Sequence, residues 1–213
     1  MENENKELIK KLRDNAELAW ASYGYFHLAD KNYKPEGWWN KDKKKLDEFI
    51  NKYNTRPTPT DILNIEYNSL FSGDMSPNQA KRFFERYDLL EYYPKDNSKG
   101  FHACLFRDKE SKQYTLAIRG SYDSRDYVEA DFWNLLIKGQ VPRAYYEDML
   151  SFFIECSKKY PDITKPRSLN IAGHSLGGAL AQMLALSICD DSNEANINEV
   201  YTFNSHLESK KAV

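Results

Sequence analysis

The sequence is poor in cysteine. Its three cysteines, Cys104, Cys156 and Cys189, lie far apart and form neither a CxxC pair nor an even set, which argues against a structural zinc site and a disulfide framework and makes a reducing compartment the expectation. No run approaches the roughly 20 apolar residues that span a bilayer, and Met1 to Asn15 are too charged to contain the apolar core of a secretory signal. These absences predict a cytoplasmic chain; an export route without a signal would leave no trace in the sequence. A charge of one sign is missing too. Lys and Arg number 30 against 32 Asp and Glu, a formal net charge of -2, so there is no electrostatic footprint for a polyanion and no nucleic-acid partner is expected. A neutral or amphiphilic partner fits better. What the sequence does have is apolar and aromatic content: 41% hydrophobic and 14% aromatic residues, with 15 tyrosines and 11 phenylalanines, place it among globular proteins. Its 213 residues suit one domain with an appendage at about 150 residues per domain.

Without internal repeats or low-complexity tracts, the composition shifts once, near residue 100. Residues 1–99 read as a mainly helical N-terminal region packed on a core. Apolar positions from Leu8 to Trp20 recur at helical spacing and predict a helix over Glu7 to Leu28. Lys31 to Asn40 is a loop rich in Pro, Gly and Trp, and a basic helix over Lys41 to Tyr53 precedes a turn at Pro57 and Pro59. Ser76-Pro77-Asn78-Gln79 resembles a capping box with proline at the first helical position, opening a helix to about Tyr87. Residues 100–205 alternate strand and helix. Phe101 to Arg107 and Gln113 to Arg119 read as a hairpin across a polar loop. Helices over Arg125 to Lys138 and Ala144 to Tyr160 follow, then a strand over Ser168 to Ala172, a helix over Gly177 to Cys189 and a strand over Glu199 to Phe203. That order predicts an α/β three-layer sandwich, parallel where a helix crosses between strands.

The sharpest motif is Gly173-His174-Ser175-Leu176-Gly177, followed by Gly178 and Ala179. It matches G-x-S-x-G between a predicted strand and a predicted helix. The spacing suits a nucleophile: a serine raised on a tight strand-to-helix turn needs glycines beside it so that neighbouring backbone passes without a Cβ clash. The Leu176 amide then lies at the helix N-terminus, where it can donate to a developing oxyanion. His174 adjoins Ser175 in sequence and should point elsewhere, so it reads as structural. G-x-S-x-G alone leaves a protease or thioesterase open.

Upstream, Tyr114 to Ile118 is an apolar strand running into Arg119-Gly120-Ser121, and downstream comes Val200-Tyr201-Thr202-Phe203-Asn204-Ser205. With Gly-His-Ser-Leu-Gly-Gly between them, this order resembles the class 3 lipase family of α/β hydrolases over about residues 100–205. The resemblance implies an α/β-hydrolase-like fold, a serine carboxylic-ester hydrolase acting on lipid or phospholipid esters, no cofactor and no metal. It implies Ser175 as catalytic nucleophile and an oxyanion hole from Ser121 and the Leu176 amide, with Asp131 supporting the loop after Gly120. Ser124 to Ile137 falls where similar lipases carry an amphipathic lid; this stretch either opens onto a membrane surface in transient contact or is buried against the sheet. Trp20, Tyr23, Tyr25 and Phe26 either line an acyl pocket or are plain core.

The acid and base of a triad are not evident. In the family both follow the nucleophile on later strands, but after Ser175 this sequence has one histidine, His206. The tail at 206–213 departs from the family pattern directly after Ser205. Three expectations compete. The chain is a truncated lipase, its fold incomplete at the C-terminal side and its catalysis lost; or His206 serves as base with Glu208, Asp190 or Asp191 as acid; or a complementing C-terminal chain supplies the missing strands. Truncation predicts an unpaired apolar edge at Val200 to Phe203 and poor solubility.

Overall fold

The computed structural model describes residues 2–96, 100–120, 143–189 and 196–205. Helix α1 (Glu2–Ala21) buries apolar side chains only in its C-terminal half: Leu18, Ala19 and Ala21 are buried, whereas Leu8, Ile9 and Leu12 are exposed. It ends sooner than apolar spacing predicts. Ser22 Oγ donates to the Ala19 carbonyl, and the Tyr23 and Gly24 amides fold back onto Trp20 and Ala21. Phe26–Ala29 is therefore a separate 3-10 turn. Helix α2 (Lys41–Tyr53) starts where Asn40 accepts from the amides of Asp42 and Lys43. Thr58 and Asp61 then form a reciprocal capping box that opens α3 (Pro59–Leu63), so Pro59 begins a helix where the sequence suggested only a turn. Short α4 (Asn68–Phe71) and α5 (Pro77–Arg86) complete the helical region. At α5, Ser76 accepts from the Gln79 amide, but the Gln79 side chain reaches Glu17 instead of closing the box.

A strand follows α5 without a linker. β1 (Tyr87–Tyr93) joins β2 (Ala103–Asp108), β3 (Tyr114–Ile118), β4 (Leu169–His174) and β5 (Ile197–Phe203) in one mixed sheet of order β1-β2-β3-β4-β5. The first three are antiparallel and the last three parallel. Parallel neighbours need a crossover. α7 (Leu176–Ile188) joins β4 to β5, and α6 (Arg143–Lys159) precedes β4. The helix expected over Arg125 to Lys138 lies outside the described residues.

Side-chain alternation along each strand produces three layers. Leu105, Leu116, Ile118 and Ile171 face Met149 and Phe152 of α6 and Leu180 and Leu184 of α7. On the other face, Cys104, Phe106 and Ala117 pack with Phe26, Ile62 and Phe83, while Ala172 and Tyr201 meet Ala19 of α1. The architecture is α/β-hydrolase-like, with a helical N-terminal region covering one face. At one rim, Arg86 donates to Asp14 (2.7 Å) and Asp108 (3.0 Å), tying α5 to α1 and β2. Burial alone would push the Asp14 carboxyl up; hydrogen bonds from Arg86 and Arg13 outweigh it and hold it below the usual range. At the other rim the ends of the parallel strands align, Ile118 opposite Gly173 and Gly173 opposite Thr202. Among the described residues β5 pairs only with β4.

Candidate active site

Ser175 stands on that second rim, between the end of β4 and the start of α7. Its backbone has φ 55° and ψ -124°, a region that L residues rarely occupy and that surrounding structure must enforce. Three hydrogen bonds do so. The Ser175 amide donates to the Phe203 carbonyl (2.9 Å), and the Ser175 carbonyl accepts from the amides of Gly178 (2.9 Å) and Ala179 (3.3 Å). The side chain makes no capping bond to the helix, which leaves Oγ uncommitted to α7. A Cβ on Gly173 would sit 2.2 Å from the Gly177 carbonyl oxygen, and one on Gly177 would sit 2.2 Å from that of Ile118. Glycine at both positions lets strand, turn and helix close onto one another.

Leu176, the first residue of α7, has no intrahelical acceptor for its amide, which lies at the positive end of the helix dipole. The end of β3 lies beside it. A Cβ on Gly120 would come within 2.6 Å of the His174 carbonyl oxygen and 3.0 Å of Ser175 Cβ. The structure thus brings together Ser175, Leu176 and the Arg119-Gly120 segment that follows β3. Ser121, Asp131, Asp190, Asp191, His206 and Glu208 lie outside the described residues. Ser205 packs on Gly178 in the first turn of α7, and its Oγ accepts from Gln182 (3.2 Å) in the next turn.

His174 is occupied elsewhere. Its Nδ1 lies 2.8 Å from Tyr23 Oη, which accepts from the Gly120 amide at 3.1 Å. Burial lowers the His174 pKa and raises that of the Tyr23 phenol, so at neutral pH a neutral imidazole faces an un-ionised phenol. The consistent order is Gly120 N–H to Tyr23 Oη and Tyr23 O–H to His174 Nδ1, which places the imidazole proton on Nε2. Tyr23 is the clasp that holds the β3 turn to the serine turn. Because the folded pKa of His174 is below its unfolded value, its contribution to stability is complete above about pH 6.5 and is lost as pH falls through the folded value. Tyr23→Phe strands both partners and is expected to cost about 1–3 kcal/mol, read as a lower urea midpoint at pH 7.5. An unchanged midpoint would show that the clasp is dispensable.

The four aromatic residues at and beyond the end of α1, Trp20, Tyr23, Tyr25 and Phe26, divide. Phe26 is core at 2% exposure, and Tyr25 packs edge-on against His102 at 5.7 Å with the Arg119 guanidinium over its ring at 5.6 Å. Trp20 and Tyr23, with Asp74, His174 and Phe203, line a groove of about 590 Å³ beside the serine turn. Trp20 Nε1 donates to Asp74 at 2.6 Å. A larger groove of about 730 Å³ lies between α1 and α5, lined by Arg13, Asp14, Arg82 and Arg86; Ser175 is not in its lining. Cys104 and Cys156 are buried, and burial pushes the Cys156 thiol up to about 12, so neither competes as a nucleophile.

Residues 106–206 match the model of the lipase (class 3) family. The matched segment is a little under half of the chain. No curated protein matches the chain. Among solved structures, the Lip2 lipase from Yarrowia lipolytica is similar at 16% identity and TM-score 0.48, over 94% of this chain and 60% of that one. Lipase II from Rhizopus niveus is similar at 17% identity and TM-score 0.38, over 76% and 63%. A lipase from Rhizopus microsporus var. chinensis is similar at 17% identity and TM-score 0.36, over 60% and 48%. The chain thus spans about half to three-fifths of the length of these lipases.

Within residues 106–206, G-x-S-x-G and Arg-Gly-Ser are visible as sequence. Tyr23 was visible only as one aromatic among several. Its partners are distant in sequence and meet it only once α1 lies on the sheet.

Proposed function

We propose that the chain is a serine carboxylic-ester hydrolase of the lipase or phospholipase type, acting on lipid esters through an acyl-enzyme on Ser175. The observation that carries this reading is the backbone of Ser175, held at positive φ at the head of α7 with the Leu176 amide and the β3 turn against it. In the proposed reaction Ser175 Oγ attacks the ester carbonyl carbon while a base removes its proton, and the carbonyl oxygen becomes an oxyanion. The Leu176 amide donates to that oxygen and Ser121 supplies the second donor; each is worth about 3 kcal/mol of barrier. Collapse breaks the ester C–O bond and the alcohol leaves with the proton. Water then attacks the acyl-serine and releases the acid.

His174 is held by Tyr23, so the base is assigned to His206 or to a complementing C-terminal chain. The groove lined by Trp20 and Phe203 offers an apolar path for an acyl chain. The reading is tested with the full chain on p-nitrophenyl butyrate and on emulsified triacylglycerol. Turnover of both, lost in Ser175→Ala and diminished in His206→Ala, is the expected result. A folded chain that turns over neither ester would favour a non-enzymatic lipid-binding role.

A further inference from the structure

The loop between the 3-10 turn and α2 carries two indoles that the fold leaves in solvent. Trp38 is 79% exposed and Trp39 69% exposed, although most large apolar side chains of this region are buried. They are held there. Asp30 accepts from Tyr92 Oη (2.6 Å), the Tyr33 carbonyl accepts from Arg56 (2.6 Å), and Asn40 both caps α2 and donates its amide to the Gly37 carbonyl (3.1 Å). Gly37 has φ +86°, and a Cβ there would meet the Trp39 ring at 2.7 Å. The loop is braced at both ends with its apolar tip outward.

Basic residues flank the pair along the chain. Lys31, Lys34, Lys41 and Lys44 are exposed on this loop and the first turn of α2. Lys43 is engaged by Asp47 and Lys45 lies over the Tyr25 ring. Glu36 is the exposed carboxylate within the loop, and Asp42 is buried against His27 and Tyr33. A chain of net charge -2 thus gathers local positive charge around two exposed tryptophans. Indoles beside lysines suit the headgroup layer of a bilayer, the ring entering the apolar boundary and the ammonium groups meeting anionic lipid. The two rings are edge-to-face, 85° apart with centroids at 5.9 Å, which does not form the flat platform that stacks a sugar polymer. The stem of the loop also leaves the core on the nucleophile's rim: Tyr92, bonded to Asp30, precedes Tyr93, whose row runs through Ala103 and Ile118 to Gly173.

We propose that the Trp38-Trp39 loop and the adjoining lysines dock this protein on an anionic lipid surface. The docking stands on this surface alone; only its consequence for lipid turnover rests on the hydrolase reading. The test is co-sedimentation of the full chain with vesicles of dialkyl phosphatidylcholine, with and without dialkyl phosphatidylglycerol. Ether-linked lipids hold no carboxylic ester, the bond the proposed reaction breaks, so binding is read independently of catalysis. The expected result is binding that requires phosphatidylglycerol, blue-shifts tryptophan emission, weakens with salt, and falls more than about tenfold in Trp38→Ala/Trp39→Ala and about fivefold for each of Lys41→Gln and Lys44→Gln. The tryptophan variant keeps the far-ultraviolet circular dichroism and p-nitrophenyl butyrate turnover of the parent. Absence of vesicle binding by the folded chain, equal binding by the tryptophan variant, or retention on a neutral polysaccharide that this variant loses would overturn the proposal.

Discussion

Gly177→Ala is expected to lower the urea midpoint of the chain by roughly 1 M and to abolish reaction at Ser175. The added Cβ would lie 2.2 Å from the Ile118 carbonyl oxygen and 2.7 Å from the Arg119 carbonyl carbon. Both are backbone atoms of the sheet, so no side chain can rotate out of the way. Either the first turn of α7 moves off β3 or β3 bends. Overpacking of this kind costs about 3 kcal/mol at the upper end of its usual range, and a urea slope near the upper end of its usual range, about 3 kcal/mol per molar for a chain of this length, converts that to a midpoint shift of this size. Displacing α7 also withdraws the Leu176 amide from the β3 turn. A Gly177→Ala variant with the parent's midpoint would mean that the close approach of helix and strand is not a feature of the folded protein.

The second large effect separates stability from function. Ser175→Gly is expected to stabilise the fold while reducing ester turnover on the order of 10⁴-fold or more. The serine backbone at φ 55° and ψ -124° stores about 1–3 kcal/mol of strain. Glycine adopts the same angles freely and gives back only about 0.5–1 kcal/mol through its more flexible unfolded chain. The net gain should be about 1 kcal/mol, measured by chemical denaturation. Ser175→Ala removes the same hydroxyl but keeps a Cβ at positive φ, and should gain nothing. Equal stability of the glycine and alanine variants would show that the turn is unstrained.

Much of this fold was legible because its signals are local. G-x-S-x-G lies between an apolar strand and a small-residue helix, and that context is what folding needs to form the turn. The hairpin of β2 and β3 and the parallel pairing of β4 with β5 follow from short apolar runs separated by a polar loop or a helix. β1 carries no boundary mark in the sequence, because Tyr87 both caps α5 and begins the strand with no turn residue between. Its buried Glu91, which burial would push up but which Lys159 and Lys95 hold below the usual carboxylate range, also breaks the apolar pattern. The end of α1 was hidden for a related reason. Its aromatic residues continue the helical spacing, while the Ser22 and Gly24 contacts that stop the helix carry no strong sequence mark. Tyr23 and Gly120 acquire their roles only through tertiary packing. Trp38 and Trp39 could be read as a loop from sequence, but their exposure could not.

The central claim is that Ser175 is the nucleophile. It is tested most directly by incubating the full chain with a fluorophosphonate probe and mapping the adduct by peptide mass spectrometry. The account predicts a single adduct on the Ser175 hydroxyl, absent from Ser175→Ala and slowed in Tyr23→Phe. A folded chain that takes up no probe, or one labelled at another residue with Ser175 unmodified, would contradict it.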